Sequence, residues 1–240
     1  MIKFFRKIRQ NLLVENKTGK YFKYAIGEII LVVIGILIAL QINNWNENRK
    51  NEEQGIVQKK ALKIELENDL EILLSDLAYV KKELEINNSY AERLSSKTSN
   101  LDTLVKIVRY EYAGEYNSLK ALNKTTFNSL ESTSKLDILG EDLAKNVQNY
   151  YNTRDNDIEV LATNQELYFS LLKPLISKYP SRWSSIQGHL RDIYWDKLNK
   201  NTLYGDINGL LTMRIFILNV RKRVVENFIT KTTHLLNELK

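Results

Sequence analysis

From residue 24 to residue 42 the chain reads YAIGEIILVVIGILIALQI, with Glu28 as its sole charged side chain. At a helical rise of 1.5 Å per residue this stretch is roughly 28 Å long, close to the hydrocarbon thickness of a bilayer. A surface helix of a soluble domain needs a polar face. Here isoleucine, leucine and valine lie on every side. A buried core helix is the competing interpretation, because the uninterrupted apolar run covers only residues 29–40. Tyr21, Tyr24 and Trp45 bracket the stretch as interfacial aromatics, with Asn43 and Asn44 just outside it. The balance favours a transmembrane helix over residues 24–42.

The formal net charge of +6 would suggest nucleic acid if it were spread over the chain. It is not. Lys3, Arg6, Lys7, Arg9, Lys17, Lys20 and Lys23 precede the span against Glu15 alone, and residues 24–240 hold basic and acidic side chains in equal number. Membrane lipid, and no nucleic acid, is the partner this distribution predicts. The positive-inside bias sets the N-terminus in the cytoplasm and exports the body. A cleaved signal peptide fits less well than an uncleaved signal-anchor, since the leader is long and Ile38-Ala39-Leu40 offers no small-x-small cleavage site. Within the leader, Ile2, Phe5, Ile8 and Leu12 recur at helical spacing opposite Lys3, Arg6, Lys7 and Arg9. That pattern is a basic amphipathic helix for an anionic membrane surface, or a disordered basic topology signal. Gly19 would supply the bend into the span.

Glu28 is expensive inside a membrane unless it is partnered, protonated or near the headgroups. It either snorkels toward Lys23 or Lys20, or meets another helix. Gly35 and Ala39 follow it on the same helical face, a seam where a second spanning helix can approach closely.

The sequences KFFRKIR at 3–9 and KYAIGEIILVVIGILIALQINNWNENRK at 23–50 closely resemble an uncharacterised family of single-pass membrane proteins from Bacteroidota. That family joins a conserved amino-terminal anchor to a divergent α-helical body and has no established function. Beyond residue 51 the likeness rests on segments such as 126–130 and 148–151. The resemblance implies a bacterial inner-membrane location and supplies no activity. It also gives meaning to Asp102-Thr103-Leu104, which is similar to the Asp-Ser/Thr-aliphatic sequon for periplasmic O-glycosylation and makes Thr103 a candidate acceptor.

The domain organisation that follows is a basic cytoplasmic leader (1–23), a transmembrane helix (24–42), a juxtamembrane linker (43–55) and a periplasmic helical bundle (56–240). In the body, Leu66, Leu70, Leu73, Leu77, Val80 and Leu84 step by four and three, continued by Asn87, Ala91 and Leu94. This is a long coiled-coil-like helix. Ile64, Leu74 and Ile86 widen its stripe and favour a bundle. Residues 95–100 break the pattern, and a second helix starts near Asn100 or Asp102 and reaches Tyr112. A weak segment at 113–120 precedes a short helix at 125–130. A long helix runs from about 140 to 172 with Pro174 closing it, on a stripe of Leu143, Val147, Tyr150, Leu161, Tyr168 and Leu171. The last, at 207–239, carries Leu211, Ile215, Leu218, Val225, Ile229 and Leu236, broadened by Val224, Phe228 and Leu235. No segment alternates convincingly as a strand. The body is all-α.

Residues 179–204 differ from the rest by concentrating Tyr179, Trp183, Tyr194, Trp195 and Tyr204 among Arg182, His189, Arg191 and Asp192. Aromatics with converging polar groups suit a partner or ligand patch, for which Trp183, Tyr194 and Trp195 are the candidates. They equally suit the capped end of a bundle. Catalytic signatures are missing: there is no GxGxxG, GxxxxGK[ST], HExxH or GxSxG, and no cysteine. With His189 and His234 as the only histidines, no catalytic residue, metal ligand or cofactor is expected. Glu65, Glu67, Asp69 and Glu71 read as a solvated helix face. Two functions remain. One is a membrane-anchored interaction protein, either a homo-oligomer or an accessory subunit with a membrane-protein partner. The other is a sensory, ligand-binding bundle that signals through such a partner.

Overall fold

The computed structural model describes residues 18–182 and 184–239. The basic leader, with Lys3, Arg6, Lys7 and Arg9, lies outside these residues, as does Trp183. Six α-helices follow in order: α1 (Thr18–Ser95), α2 (Leu101–Lys106), α3 (Thr125–Ser132), α4 (Glu141–Lys178), α5 (His189–Lys197) and α6 (Leu203–Glu238). A π-turn (Ile107–Glu111) extends α2, and a 3₁₀ turn (Leu136–Leu139) precedes α4. No strand occurs among the described residues, so the fold is all-α. The chain divides into two units, Met1–Val57 and Gln58–Lys240.

The described part of the first unit is the beginning of α1. Its large apolar side chains from Ile26 to Ile42 are about half to two-thirds exposed, and an 18-residue window reaches a mean hydropathy of 2.6 with no part of it buried. Moving roughly a dozen such side chains from water to hydrocarbon is worth on the order of 10–20 kcal/mol. That rivals the whole stability of an ordinary domain. The segment expected to be a linker, 43–55, is helical throughout. It holds no proline. It also carries side-chain pairs one turn apart, Asn43 donating to Glu47 at 3.2 Å and Arg49 facing Glu53 at 3.9 Å.

In the second unit, the remainder of α1 packs with α4 and α6. The last two run antiparallel, with Lys178 bonded to Asp206 at one end and Asn146 to Glu238 at the other. Leu62 and Leu66 join Phe127, Val147, Tyr151 and Leu235 in one core cluster. Leu73 meets Leu161, Val225 and Phe228, and Val80 and Leu84 meet Leu218. At the other end α2, α5 and the start of α6 close over Ile107, Tyr168, Trp195, Leu203 and Ile217. Local signals place most of these elements. Asn100 caps α2, its Oδ1 accepting the Thr103 N–H at 2.9 Å. Gly140, with φ +93°, turns the chain into α4 in a conformation that other residues avoid.

Three expectations are corrected. Ile64, Leu74 and Ile86 are exposed rather than part of the buried stripe, because α1 meets its neighbours along one narrow seam. Pro174 lies inside α4, which continues to Lys178. An interior proline gives up its N–H bond and crowds the carbonyl four residues back, but Pro174 is only one turn from the helix end, and Leu172 and Leu175 stay buried on either side of it. Leu171 of the expected α4 stripe is also exposed, and Leu172 takes the buried position.

Candidate functional site

Residues 112–124 have no regular secondary structure. An extended segment beside helices has no ladder partner, yet its backbone groups require hydrogen bonds. Side chains supply them. The Tyr168 hydroxyl donates to the Gly114 carbonyl at 3.1 Å, and the Asn117 N–H donates to the Tyr79 hydroxyl at 3.2 Å. Arg214 donates to the Glu115 carbonyl at 2.8 Å, Arg221 to that of Asn117 at 2.5 Å and Arg154 to that of Asn123 at 2.8 Å.

The same three arginines grip carboxylates of α1. Arg214 reaches Glu83 at 2.8 Å, the Arg221 Nε reaches Asp76 at 3.0 Å, and Arg154 reaches Asp69 at 2.9 Å. Asp69 also accepts the Asn123 N–H at 2.8 Å. Glu83, Asp76 and Asp69 are seven residues apart, so together they span ~21 Å of helix. The strap between residues 115 and 123 reaches roughly 26–29 Å when fully extended. The two lengths match, and the strap descends α1 as a clamped ribbon. One turn further on, Glu65 accepts the Thr126 N–H at 2.9 Å and its hydroxyl at 2.6 Å, fixing the start of α3.

All three arginines are buried, Arg154 being 2% exposed and its partner Asp69 1%. Tyrosine faces cover the guanidinium groups: Tyr116 and Tyr168 lie 4.9 and 4.8 Å from Arg214, and Tyr151 lies 4.4 Å from Arg154. Burial pushes the Asp69 carboxyl above its ordinary range, more than the Asn123 N–H and Arg154 pull it back. Burial also disfavours the charged Arg214 and Arg221, but Tyr168 with Glu83, and Asp76, outweigh it and raise both. Each of the three arginines is paired with a carboxylate of α1 and a carbonyl of the strap, so the ladder holds the strap in place. Asp69 and Glu65 are therefore not part of a solvated face, although Glu67 and Glu71 are exposed as expected.

Where the strap begins, an open cleft of about 500 Å³ lies between the π-turn, α4 and the chain after Tyr179. Val108, Leu172, Leu175 and Ile176 form its apolar wall, and Glu115, Ser181, Ser184 and Ser185 its polar edge. Gly114 lies on its lining, packed against Leu172. A Cβ there would meet Leu172 Cδ1 at 2.8 Å.

The aromatic segment resolves into two kinds of residue. Trp195 is 1% exposed and donates its indole N–H to the Pro180 carbonyl at 2.8 Å. Buried Tyr179 donates to Asp206 at 2.6 Å, and Asp206 is held below the usual carboxylate range by Lys178 and then Tyr179. These two rings close the end of the bundle, and its own burial removes Trp195 from the partner or ligand patch. Tyr194 stays exposed and donates to the Lys178 carbonyl at 3.0 Å. Leu101, Tyr110, Ile186 and Leu190 are exposed apolar side chains of the same closing elements. Thr103 is half-buried, and its hydroxyl donates to Asn100 Oδ1 at 3.1 Å. In the first unit Glu28, Gly35 and Ala39 share one helical face, and a Cβ at Gly35 would meet nothing within 4 Å. Among the described residues no group of three or more His, Asp or Glu is placed to hold a metal.

The fold defines an all-α protein with one helix long and apolar enough to cross a membrane and a bundle built around an arginine-clamped strap. The chain belongs to DUF6090, a family of unknown function whose profile matches residues 28–206. That match takes in the apolar stretch from Glu28 onward, the strap, Arg154 and all the α1 acids of the ladder, and ends before Arg214 and Arg221. No curated protein and no solved structure matches the chain.

Proposed function

We propose that this is a non-catalytic, single-pass protein of the bacterial inner membrane, whose periplasmic bundle self-associates or serves as an accessory subunit of an envelope complex. The observation that carries the proposal is the set of apolar side chains left bare on the closing elements, Leu190 at 71% exposed being the extreme. The exposed apolar side chains of the α1 anchor support the membrane part, and Gly35, where a Cβ would meet nothing within 4 Å, offers a spanning contact on the helical face it shares with Glu28 and Ala39. The N-terminus is cytoplasmic by its charge excess.

Two measurements test this. The chain has no cysteine, so exposed Ser132→Cys is a unique thiol for a membrane-impermeant maleimide. Labelling from the periplasm is expected, and labelling only after lysis refutes the orientation. Native mass of the full-length protein in mild detergent is expected to show an oligomer or a stoichiometric partner that is lost in Leu190→Ser with Tyr194→Ser. A bare monomer from the native membrane refutes the interaction role. The cleft beside Glu115 favours a second function, a ligand-binding sensor bundle that signals through a membrane partner.

A further inference from the structure

The cleft at the head of the strap has a composition that selects its ligand. Its volume of about 500 Å³ falls within the range of small-molecule sites, roughly 300–1,000 Å³. One wall is continuous hydrocarbon from Val108, Leu172, Leu175 and Ile176. The charged group on its lining is Glu115. The other carboxylates along the strap, Asp69, Asp76, Glu83 and Glu65, are all bonded to arginine or to the start of α3. Glu115 is bonded through its backbone carbonyl to Arg214, while the residue is exposed and its carboxylate forms no ion pair among the described residues.

We propose that this cleft binds a cationic amphiphile, a primary alkyl- or arylamine. Its apolar body lies on the Val108–Leu172–Leu175 wall and its ammonium donates to the Glu115 carboxylate. A charge-assisted hydrogen bond of this kind is about twice as strong as a neutral one, and the same carboxylate repels a fatty acid of equal length. Binding rests on the cleft alone, whether or not the bundle signals or self-associates. An ammonium headgroup is offered both by free amines and by phosphatidylethanolamine, and the assay separates these sources.

Full-length protein in phosphatidylcholine nanodiscs is irradiated with a ten-carbon alkylamine that carries a diazirine, and labelled peptides are mapped by mass spectrometry. Label is expected on residues 108–115 and 172–185. Free decylamine is expected to compete, with decanoate at least about tenfold weaker, a factor equal to ~1.4 kcal/mol. Competition by added decylamine marks a free amphiphile. Competition only when phosphatidylethanolamine replaces part of the phosphatidylcholine marks a lipid. Ile176→Trp, at a residue already 54% exposed, fills the mouth of the cleft and is expected to remove the label with an unchanged melting temperature. Glu115→Gln is expected to bring decylamine and decanoate to within about threefold of each other. Label confined to residues 24–42, equal competition by decanoate in the unsubstituted protein, or label that survives Ile176→Trp overturns the proposal.

Discussion

Replacing Arg154 with methionine tests the strap directly. The substitution keeps most of the side-chain volume, removes the charge, and strands Asp69 in a site where it is 1% exposed. It also strips the Asn123 carbonyl of its donor. Removing one partner of a buried ion pair costs about 3–5 kcal/mol. For a unit the size of Gln58–Lys240, each kcal/mol moves the melting temperature by roughly 2–4 °C. A fall of about 6–20 °C is expected. The pH dependence carries a second signature. Burial already raises the folded-state pKa of Asp69, so this group's contribution to stability falls as pH rises from the unfolded carboxylate value through the folded one. Without Arg154 the folded value rises further, so the deficit relative to the unsubstituted protein should be smallest near pH 3 and grow toward neutrality. Adding Asp69→Asn removes the stranded charge and should recover about 1–3 kcal/mol of the loss. The assay is urea unfolding of the full-length protein in detergent, followed by tryptophan fluorescence, at several pH values. A deficit under about 1 kcal/mol, a deficit independent of pH, or no recovery in the double variant would refute the clamp.

Trp195→Ala should cost about 3–5 kcal/mol by emptying a core position, while Tyr194→Ala, at an exposed ring, should stay within about 1 kcal/mol by the same urea unfolding. Gly114→Ala should be mild, near 1 kcal/mol, since only the tip of Leu172 blocks the new methyl and the adjoining cleft gives it room. It should also weaken amine labelling, and a loss above about 3 kcal/mol would show that Leu172 cannot move. Glu111 is held below its ordinary range by its hydrogen bond to Arg93, and Asp206 by Lys178 and Tyr179. Their stabilisation is present above the ordinary carboxylate pKa and is lost as pH falls through the lowered values. Arg93→Gln should therefore flatten the acid limb of the stability curve, and an acid limb of unchanged slope would argue against the pairing.

Periodic and capping signals are what the sequence carried well. Leu66, Leu73 and Val80 are buried as their spacing requires, Asn100 caps α2, and a helix begins at Thr125. The ladder was missed although a signal for it existed. Asp69, Asp76 and Glu83 each follow a buried apolar residue, Leu66, Leu73 and Val80, by three positions, so each lies on the inward edge of the stripe. Arg214 and Arg221 repeat the same seven-residue spacing on α6. An acid on an inward edge and a solvated acid look alike along one helix, and only a partner in space separates them. The aromatic segment was ambiguous for the same reason, because Tyr194 and Trp195 are adjacent in sequence and face opposite environments.

The length and apolar character of residues 24–42, the concentration of basic charge before them and the all-α body follow from the sequence, since each depends on neighbours within a few turns. The tertiary structure decided which polar groups are buried, how residues 112–124 are held and where the cleft opens. Asp69 and Arg154 are 85 residues apart, and Asp76 and Arg221 are 145 apart. Local propensity acts over one or two helical turns, whereas pairing across such separations is fixed only when three helices bring their faces together.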